Sequence, residues 1–132
     1  MDKPISVVIV DDHQVVLDGF MARLELEPDI EVVGTASNGL EAIEVAKHLQ
    51  PDVILMDISM PIMNGIEATG VIKEERPESK ILMLTMHDNR EYIMKVMQAG
   101  AVWYMLKEIS AEKMLQTIKT VNQGSTYFCE SV

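Results

Sequence analysis

Five residues have types and positions that could do chemistry together: Asp11 and Asp12 in "VDDH", Asp57 at the end of "VILMD", Thr85 at the end of "ILMLT" and Lys107 closing "WYMLK". Three carboxylates crowded together repel, and each raises the pKa of the others unless a cation intervenes. A hard divalent ion with oxygen ligands is the natural partner. Mg2+ takes one or two carboxylates, keeps several waters and leaves room for a phosphate oxygen. With such an ion, Asp57 can act as a nucleophile toward a phosphoryl group and form an acyl phosphate. The Thr85 hydroxyl can then donate a hydrogen bond to one phosphoryl oxygen while the Lys107 ammonium pairs with another, balancing the charge of a loose transition state.

None of these residues carries that reading alone. Asp11 or Asp12 serves equally well as a helix cap, Asp57 as a turn residue, Thr85 as an ordinary strand residue and Lys107 as a solvated lysine. Their joint placement decides, and placement depends on the elements that hold them. Short apolar, β-branched runs alternate with longer segments of helical spacing, the signature of repeated βα units. The pattern predicts strands over 5–10, 30–36, 53–57, 81–85 and 102–106, and helices over 14–26, 39–49, 65–75, 89–98 and 111–123. Pro51 and Pro77 follow helices, Ser110 is placed to cap the last helix and Gly124 to end it. The first, third and fourth strands are apolar almost throughout, as parallel strands covered on both faces are. An α/β fold follows: a doubly wound, five-stranded parallel sheet of order 2-1-3-4-5, with ligands expected beyond the carboxyl ends of the strands. In that order all five residues converge on one rim.

Bulk properties narrow the function classes. A chain of 132 residues with 48% hydrophobic content suits one domain with one ordinary core. The formal net charge of -10 argues against direct binding of nucleic acid or anionic membrane. The one cysteine, Cys129, cannot form an internal disulfide, and no Cys/His spacing suggests zinc, so a reducing cytoplasmic setting is expected. The apolar run from Ile5 to Val10 is far short of a secretory or membrane-spanning segment.

"VDD" at 10–12, "MDISMPIMNG" at 56–65, "LT" at 84–85 and "AGAVWYMLKE" at 99–108 resemble, in order and spacing, the receiver domains of two-component response regulators, the flavodoxin-like (βα)5 receiver fold. The resemblance implies a phosphoacceptor switch rather than an enzyme. Asp57 would take phosphate from a sensor histidine kinase, Asp11 and Asp12 would manage Mg2+, the Ser59 backbone carbonyl would complete the protein ligands with Asp57, and Lys107 would pair with the acidic site. Thr85 and Tyr104 would form the switch, Thr85 moving toward the phosphoryl group and Tyr104 turning into the space it leaves. Ser59 and His87 lie two places from Asp57 and Thr85 and would tune hydrolysis of the acyl phosphate; for His87 an uninvolved surface residue is the stronger alternative. Lys107-Glu108 where many receivers have Lys-Pro, "DDH" at 11–13 and "VNQGSTYF" at 121–128 are most similar to the NarL/FixJ subgroup, whose receiver precedes a helix-turn-helix domain. On that reading 1–123 is the receiver and 124–132 the start of a linker toward a DNA-binding domain outside this chain. DNA contact would come only through that domain, with homodimer formation on phosphorylation left open.

Trp103 departs from the family, which often has Gly there, and puts a large aromatic on the expected output face. Phe20, Met21 and Leu24 are spaced as a core stripe, whereas Val15 and Val16 border the site. Met60, Met63, Met86 and Met105 are either gap fillers or an adaptable partner surface. Besides a stand-alone receiver acting on a protein partner, two other functions compete with this reading. A Mg2+-dependent aspartyl-phosphate phosphatase needs a second acid where this chain has Ser59, and a flavin-binding module would not face a phosphate with Asp11 and Asp12.

Overall fold

The computed structural model describes residues 3–85, 90–107 and 109–124. Five strands and five helices alternate: β1 (Ile5–Val10), α1 (Gln14–Leu24), β2 (Ile30–Ala36), α2 (Gly39–Leu49), β3 (Val53–Asp57), α3 (Gly65–Glu75), β4 (Ile81–Thr85), α4 (Arg90–Gln98), β5 (Trp103–Leu106) and α5 (Ala111–Asn122). The strands pair in parallel in the order β2-β1-β3-β4-β5, as expected. Every residue of β3 and β4 is buried, which explains their unbroken apolar sequences.

Alternation along the strands divides the apolar side chains into two cores. Val7, Ile9, Leu55, Leu82, Leu84 and Met105 face Leu17, Phe20 and Leu24 of α1 and Met114, Ile118 and Val121 of α5. Val8, Val10, Ile54, Met56, Ile81 and Met83 face Ala42 and Ala46 of α2, Ala68 and Ile72 of α3 and Val96 of α4. The expected α1 stripe is present, with Met21 half-buried beside Phe20 and Leu24. Met105 lies in the first core and so is packing, not partner surface; Met60 and Met63 are half-buried against the second, and Met86 lies outside the described residues.

Helix α1 ends at Leu24, two residues before its apolar pattern does. The Leu26 amide turns back to the Arg23 carbonyl at 3.4 Å, and its side chain is 81% exposed, so it belongs to the turn before Pro28. Strand β5 begins at Trp103, although the Val102 amide already bonds the Ile81 carbonyl at 3.0 Å. Side-chain caps fix the starts of α2, α3 and α5. Asn38 Oδ1 accepts from the Glu41 amide, Ser110 Oγ accepts from the Lys113 amide, and Asn64 with Glu67 forms a reciprocal capping box at the head of α3. Gly124, at φ +102°, follows α5 as expected. Among the described residues no helix is long and apolar enough to cross a membrane.

Candidate functional site

Each candidate residue is anchored by the backbone where its strand ends. The Asp11 amide extends the β1–β2 ladder by donating to Ala36 O at 3.1 Å. Asp57 sits opposite Leu84, and the Ile58 amide continues the ladder to Leu84 O at 3.3 Å. Gly65, the first residue of α3, donates to Ile58 O at 2.8 Å and so ties the helix head to the end of β3. Thr85 pairs with Leu106, and the Lys107 amide bonds Thr85 O at 3.0 Å. Side chains leaving these points converge because the ladder leaves them no other register.

The Asp11 side chain is fully buried and that of Asp57 nearly so. Lys107 Nζ lies 3.0 Å from Asp11 Oδ2 and 3.0 Å from Asp57 Oδ1. Asp12 stands at the mouth, with a quarter of its side chain exposed. Burial pushes the Asp57 carboxyl above the usual carboxylate range; the Lys107 hydrogen bond opposes this, while Asp11 and Asp12 add to it. Burial alone would lower the pKa of Lys107, but its hydrogen bonds to Asp11 and Asp57 outweigh it and hold the ammonium above its ordinary value. Lys107 is therefore the fixed positive charge of the site. Three carboxylates against one ammonium leave the cluster with an excess of formal negative charge.

Those charges suit a divalent ion. Asp11 Oδ2 and Asp12 Oδ1 are buried oxygens, the first faced by the Lys107 ammonium at 3.0 Å and the second by the His13 ring nitrogen at 3.1 Å. Donor atoms of Asp11, Asp12, His13 and Asp57 all lie within 4.8 Å of one another. Hard carboxylate oxygens make up three of these donors, which fits Mg2+.

Thr85 is buried at the end of β4. Tyr104, half-buried, pairs with Met83 and so shares the sheet face of Thr85 one step back along the strand, packed against the second core. Trp103 takes the opposite face, half-buried against the first core and lining a groove beside α5 with Ile109 and Lys113. Ser59 is exposed and lines with Asp12 an open cleft of about 880 Å3 whose far side carries Glu91 and Lys95 of α4. His87 and Glu108 lie outside the described residues.

Sequence reasoning missed His13. Its amide donates to Asp11 Oδ1 at 2.9 Å, and its Nδ1 is 3.1 Å from Asp12 Oδ1 and 3.3 Å from Asp11 Oδ1. The available signal was its place as the cap residue of α1, where a short polar side chain is normally preferred.

A family model for the response regulator receiver domain matches residues 7–119. The transcriptional regulatory protein DegU of Brevibacillus brevis is 41% identical over 126 residues, covering 96% of this chain and 53% of that protein. The oxygen regulatory protein NreC of Staphylococcus carnosus is 45% identical over 123 residues, covering 92% of this chain and 57% of that protein. Among solved structures, the signal receiver domain of the putative response regulator NarL from Mycobacterium tuberculosis superposes with a TM-score of 0.89 at 28% identity, covering 93% of this chain and 99% of that one. The chain thus spans little more than half the length of these two curated relatives. The order of the strands, the rim of acids bridged by lysine and these likenesses agree: the chain belongs to the response regulator receiver domain family.

Proposed function

We propose that the chain is a phosphorylation-controlled switch whose phosphoacceptor is Asp57. The observation that carries this reading is the bridge of Lys107 Nζ to Asp11 and Asp57 at 3.0 Å each, in a cluster of carboxylates completed by the partly exposed Asp12. A sensor histidine kinase supplies the phosphoryl group. An Asp57 carboxylate oxygen forms the new bond to phosphorus as the phosphorus–nitrogen bond of the phosphohistidine breaks, and the departing imidazole keeps the electron pair and takes up a proton. Lys107 holds Asp57 in place before transfer and pairs with a phosphoryl oxygen afterwards, while the Thr85 hydroxyl donates to another. Asp11, Asp12, Asp57 and the Ser59 carbonyl would hold Mg2+, which when bound neutralises charge on the phosphoryl oxygens. Thr85 and Tyr104 share one sheet face, which supports their reading as the two parts of a switch coupled to α4. Ser59 borders the cleft and would tune hydrolysis of the acyl phosphate, with His87 as the second position proposed for that role.

Residues 1–123 form the receiver on this reading, and 124–132 begin a linker to a DNA-binding output domain. The full-length character of the DegU and NreC relatives, regulators about twice as long as the matched stretch, supports it. The test is to incubate the chain with Mg2+ and a small phosphodonor such as acetyl phosphate. One phosphoryl group per chain should appear, require Mg2+, and vanish in Asp57→Asn. Label at the normal rate in that variant would refute the assignment.

A further inference from the structure

The His13 side chain is committed to the acidic rim and not to the helix that it precedes. It occupies the cap position of α1, but the imidazole makes no capping hydrogen bond, and two thirds of it is exposed. An exposed histidine with that freedom would ordinarily extend into water. Here the ring is folded inward instead, with Nδ1 3.1 Å from Asp12 Oδ1 and 3.3 Å from Asp11 Oδ1. The same donor set includes Asp57, and two of its oxygens, Asp11 Oδ2 in a wholly buried side chain and Asp12 Oδ1, are buried atoms that face Lys107 and His13. The cluster therefore offers three hard oxygens and one imidazole nitrogen within 4.8 Å.

We propose that His13 makes this rim a mixed nitrogen–oxygen site that takes borderline divalent transition-metal ions, of which Ni2+ is the probe, much more tightly than Mg2+. The inference rests on the divalent-ion site proposed above and adds a ligand to it. Mg2+ gains little from an imidazole because it prefers oxygen and gives up water reluctantly. Ions toward the copper end of the first transition series gain strongly from one nitrogen donor. Such ions would then compete with Mg2+ at the phosphoacceptor, so that His13 sets which cation the site holds. The Asp11 oxygen bonded by the His13 amide stays in place whichever side chain occupies position 13, since that bond is made by backbone.

Site-resolved NMR of the intact chain separates this site from other nickel-binding groups, such as the Glu44–His48 pair one turn apart on α2. Amide resonances of Asp11, Asp12 and Asp57 are followed during titration with Mg2+ and, separately, with paramagnetic Ni2+, in the native chain, His13→Gln and Asp12→Asn. The expected result is Ni2+ affinity at these amides at least a hundredfold above that for Mg2+. It should fall about tenfold or more in His13→Gln, while Mg2+ affinity in that variant stays within twofold of native. Unchanged Ni2+ affinity in His13→Gln, with Mg2+ binding still dependent on Asp12, overturns the His13 proposal alone. Mg2+ binding that ignores Asp12→Asn, or is absent from the native chain, overturns the underlying site as well.

Discussion

Replacing Gly65 with alanine puts the coupling of α3 to the phosphoacceptor strand under direct test. A Cβ at Gly65 would overlap the Asp57 carbonyl oxygen and stand 3.0 Å from both the Asp57 carbonyl carbon and Met56 Cγ. The first two obstacles are backbone, so no rotamer change relieves them; the head of α3 must move off β3, stretching the 2.8 Å bond from Gly65 N to Ile58 O. Forcing a methyl into a packed site of this kind costs about 1–3 kcal/mol, more than the gain in helix propensity returns at the first position of a helix. Gly70, five residues further along α3, supplies the control, because a Cβ there meets nothing within 4 Å. Gly70→Ala should stabilise by up to about 1 kcal/mol, through propensity alone. The same substitution on the same helix thus has opposite signs. Urea unfolding of both variants should bracket the native midpoint, with melting temperatures moving about 3–6 °C per kcal/mol for a chain of this size. Gly65→Ala as stable as native, or Gly70→Ala equally destabilised, would refute the packing argument.

Two further outcomes follow from strain and charge. Asp57→Asn should be more stable than the native chain at neutral pH, because the raised pKa of Asp57 means that ionising it weakens the fold. That advantage should be absent below the ordinary carboxylate range and grow as pH rises through the elevated Asp57 pKa; parallel stability curves for the two proteins across that window would contradict it. Ile62, a β-branched residue at φ +70° with 75% of its surface exposed, buries little and sits in the left-handed region. Ile62→Gly should therefore stabilise by about 1 kcal/mol in urea unfolding, and a loss of stability would show that the side chain makes a contact worth more than the backbone strain.

The elements were legible because the cues agreed at several levels. β3 and β4 read as continuous apolar runs flanked by turn residues, and Asn38, Asn64 and Ser110 stand where caps belong. Leu26 continues the apolar periodicity of α1, but the helix has already ended at Leu24 and the Leu26 side chain stands in solvent, which periodicity does not register. Asp57 and Lys107 were legible through their places at strand ends, but that one ammonium would bridge Asp57 to Asp11, leaving Asp12 at the rim, depends on the register of three strands. The left-handed backbone of Ile62 had no cue, since an isoleucine in a Pro- and Asn-marked loop gives no sign that its φ is positive. Lys73 was equally silent: in sequence it is one more basic residue near a helix end, yet its ammonium clamps the carbonyls of Pro77 and Ser79 at 2.7 and 2.8 Å.

The division of the interior by the sheet has an evolutionary corollary. Five strands of hydrogen-bonded backbone act as a bulkhead between two apolar compartments, one under α1 and α5, the other under α2, α3 and α4. Ile118 and Ile72 belong to different clusters, so a change of side-chain volume at one reaches the other only through the backbone of the sheet, and each compartment can drift in sequence largely by itself. Descendants of one ancestral chain can in this way remodel either flank for a new neighbour while the acidic rim, fixed by the bulkhead itself, stays the same.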